Sequence, residues 1–380
     1  MPLCSPIFHH LCYNFFFSAL FIFSSMACEL KILLVVSVLP LVSILIPLAN
    51  AKPQVPCYFI FGDSLVDNGN NNDLETLAKA NHVPYGIDFP AGPTGRFSNG
   101  RTMADFLAQL LGFDKFIPPF STAIGTEILM GVNYASAGAG IRDESGKRLG
   151  DRISMNKQLL NHLTTASRIA VLLGSKNAAA NYLSKCLYSV GMGSNDYINN
   201  YLMPEFFPRS RLYDPQQYST TLIKQYSKQL RTLYKYGARK VVLLGLNKIG
   251  CIPAEITIHY RNRSLCVDKI NSDVQLFNDK LISLVDILNN DLTGANFIYV
   301  NMSLLSLGDS SSTGITVMNS PCCKGRCTRK QVPCTNRSTY AFWDRYHPTE
   351  AASSYLASRA YAARTPFDVY PFDIRRLALL

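Results

Sequence analysis

From residue 52 onward the chain repeats one pattern: a short apolar run breaks into Gly, Asn or Asp. Residues 55–61 run into Gly62-Asp63-Ser64, and 131–135 run into Ser136-Ala137-Gly138. Residues 186–190 end at Gly191 and then Gly193-Ser194-Asn195-Asp196. Residues 240–244 end at Gly245, and 296–300 end at Asn301. Runs this short, rich in β-branched and aromatic residues and bounded by breakers, predict buried parallel strands. Between them the apolar period lengthens to that of a helix. Tyr218, Leu222, Tyr226, Leu230 and Leu233 share one face, with Gly237 as the stop. Ile270, Val274, Phe277, Leu281, Val285 and Leu288 form a second stripe. Strands alternating with helices predict an α/β domain with helices on both faces of a parallel sheet. Ligands of such sheets bind beyond the carboxyl ends of the strands. The polar residues after the first three runs are therefore the ones to weigh.

The first 51 residues follow a different pattern. They hold one acid, Glu29, and one base, Lys31, around two apolar runs at 15–23 and 32–48. A base, an apolar run and the closing Ala49-Asn50-Ala51 predict a signal peptide cleaved after Ala51. Pro40 and Pro47 argue against the rival reading, a membrane-spanning signal anchor. Met26 sits where a start residue would give a signal of ordinary length, so 1–25 reads as an upstream extension of the reading frame. Residues 52–380 then form a single domain.

Ser64 lies just past the first strand, on a turn that presents a hydroxyl in a cleft. A serine is a weak nucleophile until a base takes its proton. Four histidines lie beyond residue 51: His82, His162, His259 and His347. His347 stands apart because Asp344 precedes it by three residues in Trp343-Asp344-Arg345-Tyr346-His347-Pro348. On a tight turn that spacing lets the carboxylate take Nδ1–H and leaves Nε2 to face a serine. Pro348 and Thr349 would open a helix. His82, His162 and His259 read as surface or packing residues. Acyl transfer also requires donors for an oxyanion. The N–H groups of Ser64 and Gly138 and the Asn195 amide are the candidates. Gly-Asp-Ser alone is a weak signal, since it recurs at Gly308-Asp309-Ser310, which reads as loop.

With these residues in place, the sequence resembles the plant-type GDSL esterase/lipases of the SGNH hydrolase superfamily. The likeness covers nearly all of 52–380. It rests on the stretch from Phe61-Gly62-Asp63-Ser64-Leu65 to Asn70-Asn71 and on Tyr85-Gly86 through Gly95-Arg96-Phe97-Ser98-Asn99-Gly100-Arg101. It continues in Asn133-Tyr134-Ala135-Ser136-Ala137-Gly138, Gly193-Ser194-Asn195-Asp196-Tyr197 and Asp344 to His347-Pro348-Thr349-Glu350. The resemblance implies a three-layer α/β/α, flavodoxin-like fold with a central five-strand parallel sheet. It implies Ser64 as nucleophile, His347 as base and Asp344 as its orienter, with Ser64, Gly138 and Asn195 forming the oxyanion hole. It needs no cofactor and no metal.

The remaining features narrow the setting. Eight of the 11 cysteines lie beyond residue 51. An even number in an exported chain points to disulfides. Cys251, Cys266, Cys322, Cys323, Cys327 and Cys334 are the candidates, and for the last four disulfides outweigh a zinc site. Cys57 and Cys186, inside strands, read as buried free thiols. Asn262, Asn301 and Asn336 open glycosylation sequons. The net charge of +11 belongs to the part beyond residue 51. It suits weak attachment to acidic cell-wall polysaccharide or a plain solvated surface. No nucleic-acid or phosphate-loop motif occurs. The expectation is a secreted, extracellular, monomeric serine esterase or lipase acting on a small-molecule or lipid ester. The alternatives are an acyltransferase using the same acyl-enzyme, and a catalytically inactive wall-associated binding protein.

Overall fold

Four of the five apolar runs become parallel strands, and their registers fix everything built on them. β1 (Tyr58–Gly62) pairs with β2 (Leu187–Gly191), β2 with β3 (Lys240–Leu244), and β3 with β4 (Asn296–Val300), all parallel. The computed structural model describes residues 52–259, 266–305, 313–325 and 327–380. The leader, Asn262 and the second Gly-Asp-Ser lie outside the described residues. Within them, Pro53–Leu380 forms one compact unit.

The fifth expected strand is corrected. Residues 131–135 run beside β1 but form only isolated bridges, through Ile60 and Pro119 to Asn133. Val132 O accepts from Ile60 N–H at 3.1 Å, and Tyr134 N–H donates to Ile60 O at 2.8 Å. The outer side of the segment bonds to a loop instead of a strand: Asn133 N–H donates to Pro118 O, and Phe120 N–H to Asn133 O. The sheet nevertheless has five strands, because a short strand near the end of the chain supplies the fifth. β5 (Val317–Pro321) and β6 (Tyr340–Phe342) form a separate two-stranded sheet. β7 (Val369–Tyr370) then joins β4, antiparallel. The main sheet is therefore mixed, not wholly parallel. Two residues are too short to leave a periodic signal, so β7 was invisible in the pattern.

Alternation along the strands separates two layers. Phe59, Phe61, Tyr188, Val190, Val241, Leu243 and Phe297 face a core shared with α2 (Met155–Leu172), α3 (Lys176–Leu183), α4 (Pro215–Lys235) and α6 (Asp268–Asp291). Tyr58, Ile60, Leu187, Val242, Leu244 and Ile298 face the other, built on α1 (Met103–Leu110), α7 (Glu350–Tyr361) and α8 (Ile374–Leu379). α5 (Pro253–His259) follows β3. Period-two side chains on a strand force this division, and it yields the three-layer α/β/α sandwich. Both predicted helical stripes are buried along their full length. α4 opens on a reciprocal cap: Asp214 accepts from Gln217 N–H at 2.8 Å, Gln217 Oε1 accepts from Asp214 N–H, and Pro215 opens the first turn.

The cysteines pair as Cys57–Cys186, Cys251–Cys266, Cys322–Cys334 and Cys323–Cys327. The first pair corrects the expectation of free thiols. Tyr58 sits opposite Leu187, so the residues just before them meet across adjacent parallel strands, 4.8 Å apart at Cα. Register decides this, and composition cannot show it. Of the remaining sequon asparagines, Asn336 is exposed and Asn301 is partly buried.

Candidate active site

Ser64 sits two residues beyond β1. The strand end beneath it is clamped: Gln158 of α2 accepts from Gly62 N–H at 3.1 Å and donates to Gly62 O at 2.8 Å. Asp63 then turns the chain, with Oδ1 accepting from Leu65 N–H and its carbonyl accepting from the N–H groups of Val66 and Asp67. The hydroxyl of Ser64 lies 2.7 Å from His347 Nε2, across 283 residues of sequence.

The tight turn predicted at 344–347 is present. Asp344 Oδ1 accepts from the N–H groups of Tyr346 and His347, both at 2.8 Å. The same carboxylate holds His347 Nδ1 at 2.8 and 2.9 Å. Thr349 caps α7 through Ala352 N–H, so His347 stands just before that helix, as expected. Burial alone would raise the Asp344 carboxyl, but His347 and the surrounding donors outweigh it and hold it below its usual value. Asp344 is thus ionised and fixes the imidazole with Nε2 toward Ser64.

Two neighbours of this pair escaped the sequence reading. Tyr85 OH donates to Asp344 Oδ2 at 2.7 Å. Burial and the Asp344 charge push its phenol far up, so it stays a donor. Phe97 packs on the His347 ring with centroids 4.9 Å apart. Both lie in the 85–101 motif, which carried the resemblance but whose loop spacing gave no hint of contact with residue 344.

The Gly138 turn is held from one side by the loop after Ser64. Asp67 accepts from Ala137 N–H at 3.0 Å. Asn70 Nδ2 donates to the carbonyls of Asn133 and Ala135, and Asn71 Nδ2 donates to that of Ala137. These side chains supply the bonds that a neighbouring strand would otherwise make. Gly138 has φ +80°, a conformation in which any side chain is strained. From the other side, buried Asp196 accepts from the N–H groups of Ile141 and Arg142 and from the Ser145 hydroxyl. Among the described residues, the N–H groups of Ser64 and Gly138 have no hydrogen-bond partner.

Asn195 differs. Its Nδ2 donates to Ala139 O at 2.9 Å and, more loosely, to Asp63 Oδ2 at 3.3 Å, while Asn199 holds its Oδ1 at 2.6 Å. Burial pushes the Asp63 carboxyl up to about 6, against the bond from Leu65. Among the described residues, no other histidine bonds Ser64 or Asp344, though His82 packs edge-on against Tyr85. His162 is buried among Phe59, Phe61, Tyr134 and Tyr188, His259 pairs with Glu255, and His82 bonds the Val83 carbonyl.

A hydroxyl, an imidazole and an ionised carboxylate thus stand in hydrogen-bond sequence at the strand ends of an α/β/α scaffold. The GDSL-like lipase/acylhydrolase family model matches residues 58–360, and the chain belongs to that family. Three Arabidopsis thaliana proteins, each named a GDSL esterase/lipase, are similar over most of their length. One is 51% identical over 87% of this chain and 93% of its own. The others are 52% identical over 87% and 94%, and 49% identical over 88% and 96%. A solved GDSL-like lipase from Parabacteroides merdae aligns with 81% of the chain and 94% of its own, at 13% identity and a TM-score of 0.33, too low to bear on the fold.

Proposed function

We propose that the protein is an exported serine esterase or lipase that cleaves carboxylic esters through an acyl-enzyme. The observation that carries this is the 2.7 Å contact from Ser64 Oγ to His347 Nε2, with Asp344 behind the imidazole. Ser64 Oγ bonds to the ester carbonyl carbon while His347 takes its proton. The carbonyl oxygen becomes an oxyanion, held by the N–H groups of Ser64 and Gly138. Asn195 completes the hole when its loose N–H to Asp63 turns to the oxyanion. The C–O bond to the alcohol then breaks, and His347 gives the alcohol its proton. Water, deprotonated by His347, releases the acid and restores Ser64. The substrate is a small-molecule or lipid ester, and the chemistry needs no metal or cofactor.

The four disulfides support passage through an oxidising compartment, and the 1–51 pattern supports removal of a leader. Among the described residues, no helix is long and apolar enough to cross a membrane. The test is turnover of short-chain aryl esters by the purified protein and by Ser64→Ala. The variant is expected to lose about 10⁴-fold or more in kcat. Equal rates overturn the assignment.

A further inference from the structure

A narrow crevice of about 30 Å³ opens at the carboxyl ends of β2 and β3. Its wall contains the immediate chain neighbours of three proposed active-site residues. Leu65 follows Ser64, Ser194 precedes Asn195, and Pro348 follows His347. Three buried methionines also line it: Met103 at the start of α1, Met192 just past β2 and Met302 just past β4. Among the described residues it presents no charged side chain. A group placed there leaves water and meets mainly carbon and sulfur.

We propose that this crevice receives the acyl chain of the ester, and that Met192 and Met302 set the chain length it accepts. The proposal rests on the esterase reading of Ser64 and adds the substrate class to it. A water needs roughly 10–15 Å³ of such space, so the crevice holds about two to three water-sized groups as it stands. An acetyl to butyryl chain fits without movement. A longer chain must displace wall side chains, and methionine, unbranched and with three rotatable bonds, gives way more readily than a branched residue. Two larger clefts do not compete for this role. One, of about 580 Å³, runs between α2 and α4 beside Lys224 and Lys228. Another, of about 450 Å³, lies beside Asp88, Arg337 and Glu350. Neither includes a neighbour of Ser64, and both present charge.

The test compares p-nitrophenyl esters from acetate to dodecanoate in the wild-type protein, Met302→Ala and Met302→Trp. Burial of one methylene predicts a gain of about fourfold in kcat/KM per carbon up to butyrate, then a decline. Met302→Ala is expected to move the optimum at least two carbons longer. Met302→Trp is expected to lower the butyrate-to-acetate ratio more than tenfold. A ratio within one variant cancels any loss of folded protein. A second measurement does not depend on turnover: Ser64→Ala protein carrying ¹³C-methyl methionine is titrated with methyl hexanoate. The methyl signals of Met192 and Met302 are expected to shift. Unmoved signals together with identical chain-length profiles overturn the crevice assignment. Shifted signals in a wild-type protein that turns over no ester leave the crevice standing and overturn the esterase reading instead.

Discussion

The Tyr85 hydroxyl donates to Asp344 Oδ2 at 2.7 Å, across 259 residues of sequence. Among the described residues it is the one side-chain hydroxyl that holds this carboxylate, the other donors being backbone N–H groups and the His347 ring. A hydrogen bond to a charged group contributes about 1.5–3 kcal/mol. Tyr85→Phe keeps the ring and removes only the donor. It is expected to lower kcat roughly tenfold with KM little changed, because Asp344 then orients the imidazole less firmly. Steady-state kinetics on an aryl ester check this, and an unchanged kcat would remove Tyr85 from the account.

Two buried groups give the stability opposite dependences on pH. Burial raises Asp196 to about 6, against its bonds to Arg142, Ser145 and Ile141. Its folded form holds the proton more tightly than the unfolded chain does. That contribution is complete below about 3.8 and is lost as pH rises through 6. Burial lowers His162 to about 3, so its contribution is present above about 6.5 and is lost as pH falls toward 3. Thermal midpoints measured from pH 4 to 7 are expected to decline less with rising pH in Asp196→Asn than in wild type. In His162→Phe they are expected to decline more. Parallel curves for all three proteins would contradict both assignments.

The Cys57–Cys186 bond closes a span of 129 residues. The chain-entropy relation assigns such a loop about 5 kcal/mol. The double variant Cys57→Ala/Cys186→Ala is expected to lose stability of that order in urea titrations. Its activity at low temperature is expected to persist, because the bond lies at the amino ends of β1 and β2, opposite Ser64. Peptide mapping without reductant checks the bond directly. Alkylation of either cysteine in the unreduced, unfolded protein would show that it is absent.

Arg96 and Asp105 form a buried, two-pronged ion pair, with contacts of 2.8 and 2.7 Å. Asp105 also accepts from Thr102 N–H at the start of α1, and Phe97 beside Arg96 packs on His347. Arg96→Leu strands the carboxylate and is expected to cost about 3–5 kcal/mol. The double variant Arg96→Leu/Asp105→Leu is expected to cost less, since no lone charge stays buried. Equal losses in the two variants would show that the pair acts through packing alone.

The candidate site residues were legible because each carries a local signal. Ser64 follows a strand and a glycine, and Asp344 and His347 share one turn. Gly138 and Asn195 end two further apolar runs. Tyr85, Gln158 and Asp67 had none, since each acts on a residue at least 70 positions away. The Asn195 amide was found by position, yet its engagement with Ala139 and Asp63 could come only from geometry.

By itself the sequence determined the four parallel strands, the two long helical stripes between them, helices on both faces of the sheet and the identity of the groups at the strand ends. Those properties depend on side-chain period and on breakers a few residues apart. Tertiary structure decided what depends on register and loop path. It paired Cys57 with Cys186, placed β7 antiparallel beside β4, and left residues 131–135 as a bridged edge tied down by Asn70 and Asn71. It also brought Ser64 to His347 and set their chain neighbours Leu65 and Pro348 in the wall of a crevice lined by methionines from three distant segments. Contacts across hundreds of residues form only when the sheet fixes where each strand ends, and no local pattern along the chain encodes that distance.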